Sequence, residues 1–167
     1  MRFSIGLAFS PAAHYVPLAR AADEAGFHAV AVSDHVVNVE TLRTPYPYTA
    51  DGSRRWQPFT PWLDPWVAIG AMAAVTTRLR FFTNVYVLPM RNPFLVAKAV
   101  STAAVLSGNR VTLGIGMGWC QEEFELMEQP FASGASGPTR CSTCSVTCGL
   151  GRWWTTTVTS MTCRASR

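Results

Sequence analysis

The chain has 167 residues, of which 49% are hydrophobic and 14% charged, so it carries enough apolar sequence for a buried core and is neither disordered nor collagen-like. Its net charge of +4 comes entirely from Arg140, Arg152, Arg164 and Arg167, because the ten basic residues before them balance ten acidic ones. No nucleic-acid partner is expected, since basic residues that bind nucleic acid cluster on a folded face. No apolar run reaches the roughly 20 residues of a membrane span, and no signal peptide is recognisable, so we expect a cytoplasmic protein without a membrane partner.

The beginning of the sequence predicts a β-α-β unit. Residues 3–9 and Ala29–Val32 are apolar runs typical of strands that are buried on both faces. Gly26 stands where a left-handed residue would end the intervening helix. Apolar residues recur at helical spacing before it: Tyr15, Leu18, Ala19, Ala22 and Ala25.

The same alternation continues along the chain. Asp64 and Pro65 predict the start of a helix that runs through Ala74, and residues 79–88 predict a third strand. Another helix is expected from Asn92 to Gly108, followed by a fourth strand over residues 111–115. Strands that alternate with helices indicate a parallel sheet.

Two architectures fit this alternation. One is an open doubly wound sheet, and the other is part of a closed (β/α)8 TIM barrel. Length favours the first, because a complete barrel usually needs about 250 residues. The glycine-rich turn at Gly114, Gly116 and Gly118 is no dinucleotide fingerprint, because it follows the fourth strand and lacks an acid about 20 residues further on.

Three segments in order resemble the luciferase-like monooxygenase family, particularly its branch that uses the deazaflavin coenzyme F420. They are A-A-D-E-A-G-F-H-A-V-A-V-S-D-H-V at residues 21–36, T-N-V-Y-V-L-P-M-R-N-P-F-L-V-A-K at residues 83–98, and L-S-G-N-R-V-T-L-G-I-G-M-G-W at residues 106–119. The resemblance covers about residues 1–132. It implies an α/β fold, the first four β/α units of a (β/α)8 barrel, with a flavin or deazaflavin across the carboxyl ends of the strands.

Asp34 and His35 follow the second strand, where barrel enzymes place their chemistry. From the residues alone the pair can equally be a turn cap and a packed ring. The resemblance implies that Asp34 and His35 are catalytic and look toward the cofactor ring, where a histidine can move a proton as hydride is transferred. His14 and His28 are expected to be structural.

The resemblance also implies the residues that contact the cofactor. It places a bulge with a cis peptide bond at Asn84 and Val85, packed against the ring. An ordinary buried strand and a strand-to-loop turn remain the alternatives for these positions. The full set of implied cofactor-binding residues is Thr83, Asn84, Val85, Val87, Gly114, Gly116, Met117 and Gly118.

Two further regions carry expectations. The segment 36–63 is long and irregular, which is typical of a functional loop, and Arg54, Arg55 and Trp56 are candidates for substrate contact or for solvated surface. Glu122 and Glu123 suit the first turn of a helix. Trp119 stands where some F420-dependent dehydrogenases place a proton-donating glutamate, so the general acid stays unassigned.

Residues 133–167 differ in kind from the rest, with no acidic residue and four of the five cysteines. We predict no metal site, because Cys141, Cys144, Cys148 and Cys163 lack the supporting pattern of a zinc or iron-sulfur knuckle. A shifted reading frame combines the third base of each codon with the first two bases of the next codon. In this frame the codons of Trp154 and Thr155 specify an aspartate, and the tail can encode sequence that resembles the family. We therefore expect a frameshift near residues 132–138, premature termination, a half-barrel at 1–132 and an irregular tail at 133–167.

The predicted function is hydride transfer between F420 and a small organic substrate. An FMN-dependent monooxygenase and a non-catalytic half-barrel fragment are the alternatives. Four β/α units leave two open sheet edges, so a homodimer or aggregation through these edges is expected. Cofactor binding should be weak, because the second half of such a barrel supplies most of the surface for the cofactor's phosphate.

Overall fold

The computed structural model describes residues 1–131, and this part of the chain contains six strands and four α-helices. Their bounds are β1 Ser4–Gly6, α1 Tyr15–Glu24, β2 Ala29–Val32, α2 Pro65–Ala73, β3 Arg80–Thr83, β4 Tyr86–Val87, α3 Pro93–Leu106, β5 Val111–Thr112, β6 Ile115–Gly116 and α4 Gln121–Leu126. Short 3-10 turns at Ala12–His14 and Leu88–Met90 precede α1 and α3. The predicted frameshift and the tail cysteines lie outside the described residues.

The order of the strands decides between the two predicted architectures. β1, β2, β3 and β5 form a parallel sheet in that order, and β4 pairs with β6 in parallel. Helix α2 packs against both α1 and α3. A doubly wound sheet reverses its strand order at a switch point, whereas the units of a barrel follow one another in a single direction. The described residues therefore form the first units of a barrel, and the length argument for an open doubly wound sheet is wrong.

The third and fourth predicted strands are each interrupted. The peptide bond between Asn84 and Val85 is cis, as the resemblance implies, and it separates β3 from β4. Opposite this break, the Thr83 hydroxyl donates to the Gly114 carbonyl at 2.8 Å and accepts from the Gly114 N–H at 2.9 Å. The Thr83 side chain thus bonds the Gly114 backbone where a continuous strand would place backbone hydrogen bonds. The periodicity of the sequence does not predict this interruption.

The helix starts follow the predicted caps. Asp64 accepts hydrogen bonds from the N–H groups of Trp66 and Val67, and Asn92 caps α3 in the same way. Proline stands at the first turn of both helices, where its missing N–H costs nothing. Gly26 has a φ of +76° after α1, which confirms the predicted left-handed end of that helix.

The core lies between the sheet and helices α1 to α3. Its most deeply buried side chains are Leu7, Val30, Val32, Ile69, Met72, Leu79 and Phe81. This packing fixes the strands, and so it fixes the loops that leave their carboxyl ends. Within residues 1–131, no helix combines the length and apolar character that a membrane span requires.

Candidate active site

The polar side chains of interest meet at the carboxyl ends of the strands. Asp34 and His35 follow β2, the interruption at Asn84 and Val85 follows β3, and the glycine-rich segment surrounds β6. Parallel strands bring these ends to one edge, which is where barrel enzymes carry their chemistry. The described structure therefore places the sequence-predicted site residues along one edge.

Asp34 is buried and ties the β2 loop to the chain after β4. Its carboxylate accepts two hydrogen bonds of 2.7 Å from the Arg91 guanidinium and one of 2.8 Å from the Val87 N–H. Arg91 also stacks 4.0 Å over the Tyr86 ring. Burial raises the pKa of Asp34, against the lowering effects of the Val87 N–H and of Arg91. The carboxylate is therefore fully engaged with protein groups and orients the loop that carries His35.

His35 is held on one side by a carboxylate and on the others by aromatic rings. Its Nδ1 lies 2.7 Å from Oε2 of Glu123, and its side chain is 11% exposed. The ring centroids of Trp62, Trp56 and Trp119 lie 4.6, 5.3 and 5.8 Å from that of His35. Among residues 1–131, no group hydrogen-bonds Nε2. The position of the ring is thus fixed while one nitrogen stays available.

Glu122 and Glu123 do more than complement the dipole of α4. Both are buried, and both receive hydrogen bonds from the segment 36–63. Burial raises the pKa of Glu122, but hydrogen bonds from the backbone and hydroxyl of Thr44 and from the Arg43 N–H outweigh this and lower it to about 2. The first turn of α4 therefore anchors the long loop at two places. Glu123 holds Val36 and Val37, and Glu122 holds Arg43 and Thr44.

The basic candidates of this loop are used within it. Arg54 donates to the carbonyl of Val39 at 2.6 Å, and Arg55 donates to that of Tyr48 at 2.7 Å. Trp56 is 8% exposed and stacks on Phe9 with their centroids 5.6 Å apart. These three side chains shape the loop over His35.

The three glycines of the fourth-strand region allow close packing of neighbouring chain. A Cβ on Gly114 would lie 2.2 Å from the Thr83 carbonyl oxygen, and a Cβ on Gly116 would lie 2.3 Å from Cγ2 of Val85. A Cβ on Gly118 would meet Val87 at 2.6 Å, and its φ of +81° also favours glycine. Real Cβ contacts are not this short, so each glycine is required by the strand beside it.

The remaining predicted contact residues differ in exposure. Asn84 is exposed and Val85 is half-buried, whereas Thr83 is 1% exposed and spends its hydroxyl on Gly114. Met117 is 53% exposed beside β6. The exposed surface at this edge thus combines an amide with apolar groups. Within residues 1–131, no three His, Cys, Asp or Glu side chains are grouped so that they could hold a metal ion.

The sequence analysis missed Arg91 and Glu123. Arg91 lies within the family-like segment 83–98, and Glu123 lies in the first turn of α4. Their partners are 57 and 88 positions away along the chain. A charged residue beside the end of a buried strand could have indicated a functional role for Arg91. No local sequence pattern links Glu123 to His35.

The described residues form the first parallel β/α units of a barrel, and comparisons with known proteins give the family. A sequence model described as luciferase-like monooxygenase matches residues 4–135. The chain belongs to the luciferase-like monooxygenase family.

Two kinds of curated relatives are informative. An uncharacterized protein of Mycobacterium tuberculosis is 43% identical over 132 residues, which are 79% of this chain and 46% of that protein. The F420-dependent glucose-6-phosphate dehydrogenase of Beutenbergia cavernae is 36% identical over 106 residues, which are 63% of this chain and 27% of that enzyme. The chain thus spans half or less of the length of these relatives.

Solved structures share the fold. The monooxygenase RslO1 from Streptomyces bottropensis has a TM-score of 0.61 and 24% identity over 78% of this chain and 37% of its own. The coenzyme F420 dependent tetrahydromethanopterin reductase from Methanopyrus kandleri has a TM-score of 0.55 and 20% identity over 78% and 30%. At these identities the likeness concerns the fold alone.

Proposed function

We propose that the chain is the N-terminal part of an F420-dependent oxidoreductase that transfers hydride between the deazaflavin and a small organic substrate. The observation that carries this proposal is His35, whose ring is held at the carboxyl edge by Glu123 with Nε2 unpaired among the described residues. An imidazole in this position can give or take the proton that accompanies hydride transfer.

The surface beside His35 fits one face of a flat ring. Asn84 offers an amide for hydrogen bonding, and Val85 and Met117 offer apolar contact. When bound, the deazaflavin supplies or accepts the hydride. The side chains of this chain would orient the ring, exclude water through the tryptophans and hold a proton at Nε2 of His35. We propose contact with the ring for Asn84, Val85 and Met117, and a supporting role for Thr83, Val87 and the glycines.

The choice of F420 over FMN depends on the relatives. Two relatives with a named activity, both F420-dependent glucose-6-phosphate dehydrogenases, are 36% and 34% identical to this chain. The oxygenating constituent of 3,6-diketocamphane monooxygenase, solved in complex with FMN, is 18% identical with a TM-score of 0.55. FMN is therefore the second candidate. Sugar phosphate is not proposed as the substrate, because Trp119 stands where a proton-donating glutamate would be expected.

Nuclear magnetic resonance can test the proposal on the 167-residue chain. Labelled protein is titrated with F420 and separately with FMN up to about millimolar concentration, since weak binding by half of a barrel is expected. We expect F420 to shift the resonances of His35, Asn84 and Met117 at lower concentration than FMN does. The proposal fails if neither cofactor shifts these resonances, and the FMN alternative replaces it if their order is reversed.

A further inference from the structure

Glu123 is a buried carboxylate that serves the β2 loop. It is 2% exposed, and its Oε1 accepts hydrogen bonds of 2.8 and 3.1 Å from the N–H groups of Val36 and Val37. Its Oε2 lies 2.7 Å from Nδ1 of His35. Within residues 1–131, every hydrogen bond of this carboxylate thus goes to three consecutive residues that lie 86 to 88 positions earlier in the chain.

The arrangement of these donors specifies where the proton lies. Backbone N–H groups can only donate, so Oε1 of Glu123 accepts both of these hydrogen bonds. An imidazole N–H donates and a carboxylate oxygen accepts, so the hydrogen bond of 2.7 Å between Nδ1 of His35 and Oε2 of Glu123 has its proton on the ring. Nδ1 is then the donor, and the other nitrogen of neutral His35 carries the lone pair.

The rings around His35 keep this orientation. Trp62 packs edge-on against the imidazole with a centroid distance of 4.6 Å, and Trp56 and Trp119 lie 5.3 and 5.8 Å away. A flip of the ring would break the hydrogen bond between Nδ1 and Glu123. The carboxylate and the tryptophans therefore specify both the tautomer and the direction of Nε2.

We propose that Glu123 is a positioning residue that holds neutral His35 as its Nδ1–H tautomer, so that Nε2 is presented as the proton acceptor at the carboxyl edge. This inference deepens the proposed function and rests on it for the role of Nε2. The tautomer itself stands without it. Glu123 acts through His35 and is not assigned contact with a cofactor or substrate.

The experiment reads the tautomer directly. The 167-residue chain, labelled with nitrogen-15 at histidine, is measured at about pH 9, where an ordinary imidazole is neutral. The variants are Glu123→Gln and the matched control Glu122→Gln. Glu122 is also buried in the same helical turn, and it accepts hydrogen bonds from Thr44 and Arg43 instead of from His35.

We expect the wild-type His35 proton to lie on Nδ1, and Glu123→Gln to lower the ratio of the Nδ1–H to the Nε2–H tautomer about tenfold or more, since a charged acceptor is lost. Glu122→Gln should leave this ratio unchanged. An Nε2–H tautomer in the wild type overturns the proposal, and so does an equal effect of both variants. If Glu123→Gln fails to fold, the tautomer of His35 in the wild type still tests the proposal, because an Nε2–H tautomer there overturns it.

Cofactor titration of uniformly nitrogen-15-labelled protein separates this inference from the proposed function. An Nδ1–H tautomer together with no shift on addition of F420 or FMN would support the positioning role and contradict the cofactor assignment. An Nε2–H tautomer together with cofactor-induced shifts at Asn84 would contradict the positioning role of Glu123 and support the cofactor assignment.

Discussion

The ion pair between Asp34 and Arg91 offers the sharpest test of how the site is held. Asp34→Asn keeps the shape of the side chain but removes its charge. The side chain of Asp34 is 0% exposed and that of Arg91 is 14% exposed, so the variant leaves a largely buried guanidinium without its carboxylate. Breaking a buried pair by removing one partner typically costs about 3 to 5 kcal/mol.

The lower end of this range is expected here. Arg91 keeps its hydrogen bond of 2.9 Å to the Val87 carbonyl and its contact with the Tyr86 ring, and asparagine still offers one acceptor oxygen. We therefore expect Asp34→Asn to lower the free energy of unfolding by about 3 kcal/mol. Because Asp34 also binds the Val87 N–H, the loop that carries His35 should loosen at the same time.

Urea denaturation followed by circular dichroism measures this effect. Arg91→Met and the double variant Asp34→Asn/Arg91→Met complete a thermodynamic cycle, and the double variant should lose less stability than the two single variants together. Asp51→Asn is the control, because Asp51 is exposed and its carboxylate accepts hydrogen bonds from the nearby Ser53. A loss below about 1 kcal/mol for Asp34→Asn, or strict additivity in the cycle, would refute the reasoning.

Three further predictions concern packing, thiol reactivity and pH. Gly116→Ala should destabilise the chain by about 1 to 3 kcal/mol through the clash with Val85, and Val85→Ala should restore part of the loss in urea denaturation. Burial raises the pKa of Cys120 to about 12, so iodoacetamide should leave Cys120 unmodified in the native chain and modify it in urea. Mass spectrometry of the tryptic peptide 111–140 reads this modification, because the peptide contains no other cysteine. Rapid labelling of Cys120 in the native chain would contradict the prediction. Folding lowers the pKa of Glu122 from 4.5 to about 2, so the unfolded chain binds more protons than the folded chain between these pH values. Glu122 therefore adds about 3 kcal/mol to the free energy of unfolding above pH 4.5, and this contribution disappears as the pH falls to about 2. The stability difference between wild type and Glu122→Gln should therefore narrow across that interval, and a constant difference would argue against the assignment.

Local sequence predicted the secondary structure well where local chemistry decides it. The capping residues Asp64 and Asn92 stand where α2 and α3 begin, and the second strand has the predicted bounds Ala29–Val32. These features depend on residues within a turn or two, so their signals are readable in order along the chain. The family resemblance supplied the barrel order and the cis bond at Asn84, neither of which periodicity predicts.

The site depended on contacts that no local rule specifies. The predicted pair Asp34 and His35 points to two different partners, Arg91 after β4 and Glu123 in α4. The resemblance implied cofactor contact for Gly114, Gly116 and Gly118, and only the structure shows that a Cβ at these positions would meet Thr83, Val85 and Val87.

The physical reason is the range of the interactions. Helix caps and strand periodicity act between neighbouring residues, so the amino-acid order already specifies the helices, the strands and the edge at which the polar residues lie. Ion pairs, ring orientation and Cβ clearances act between atoms a few ångströms apart in space, whatever their separation along the chain. Only the register of the parallel strands and the docking of α4 brought Glu123 to His35, and this contact decides which nitrogen of the histidine is free.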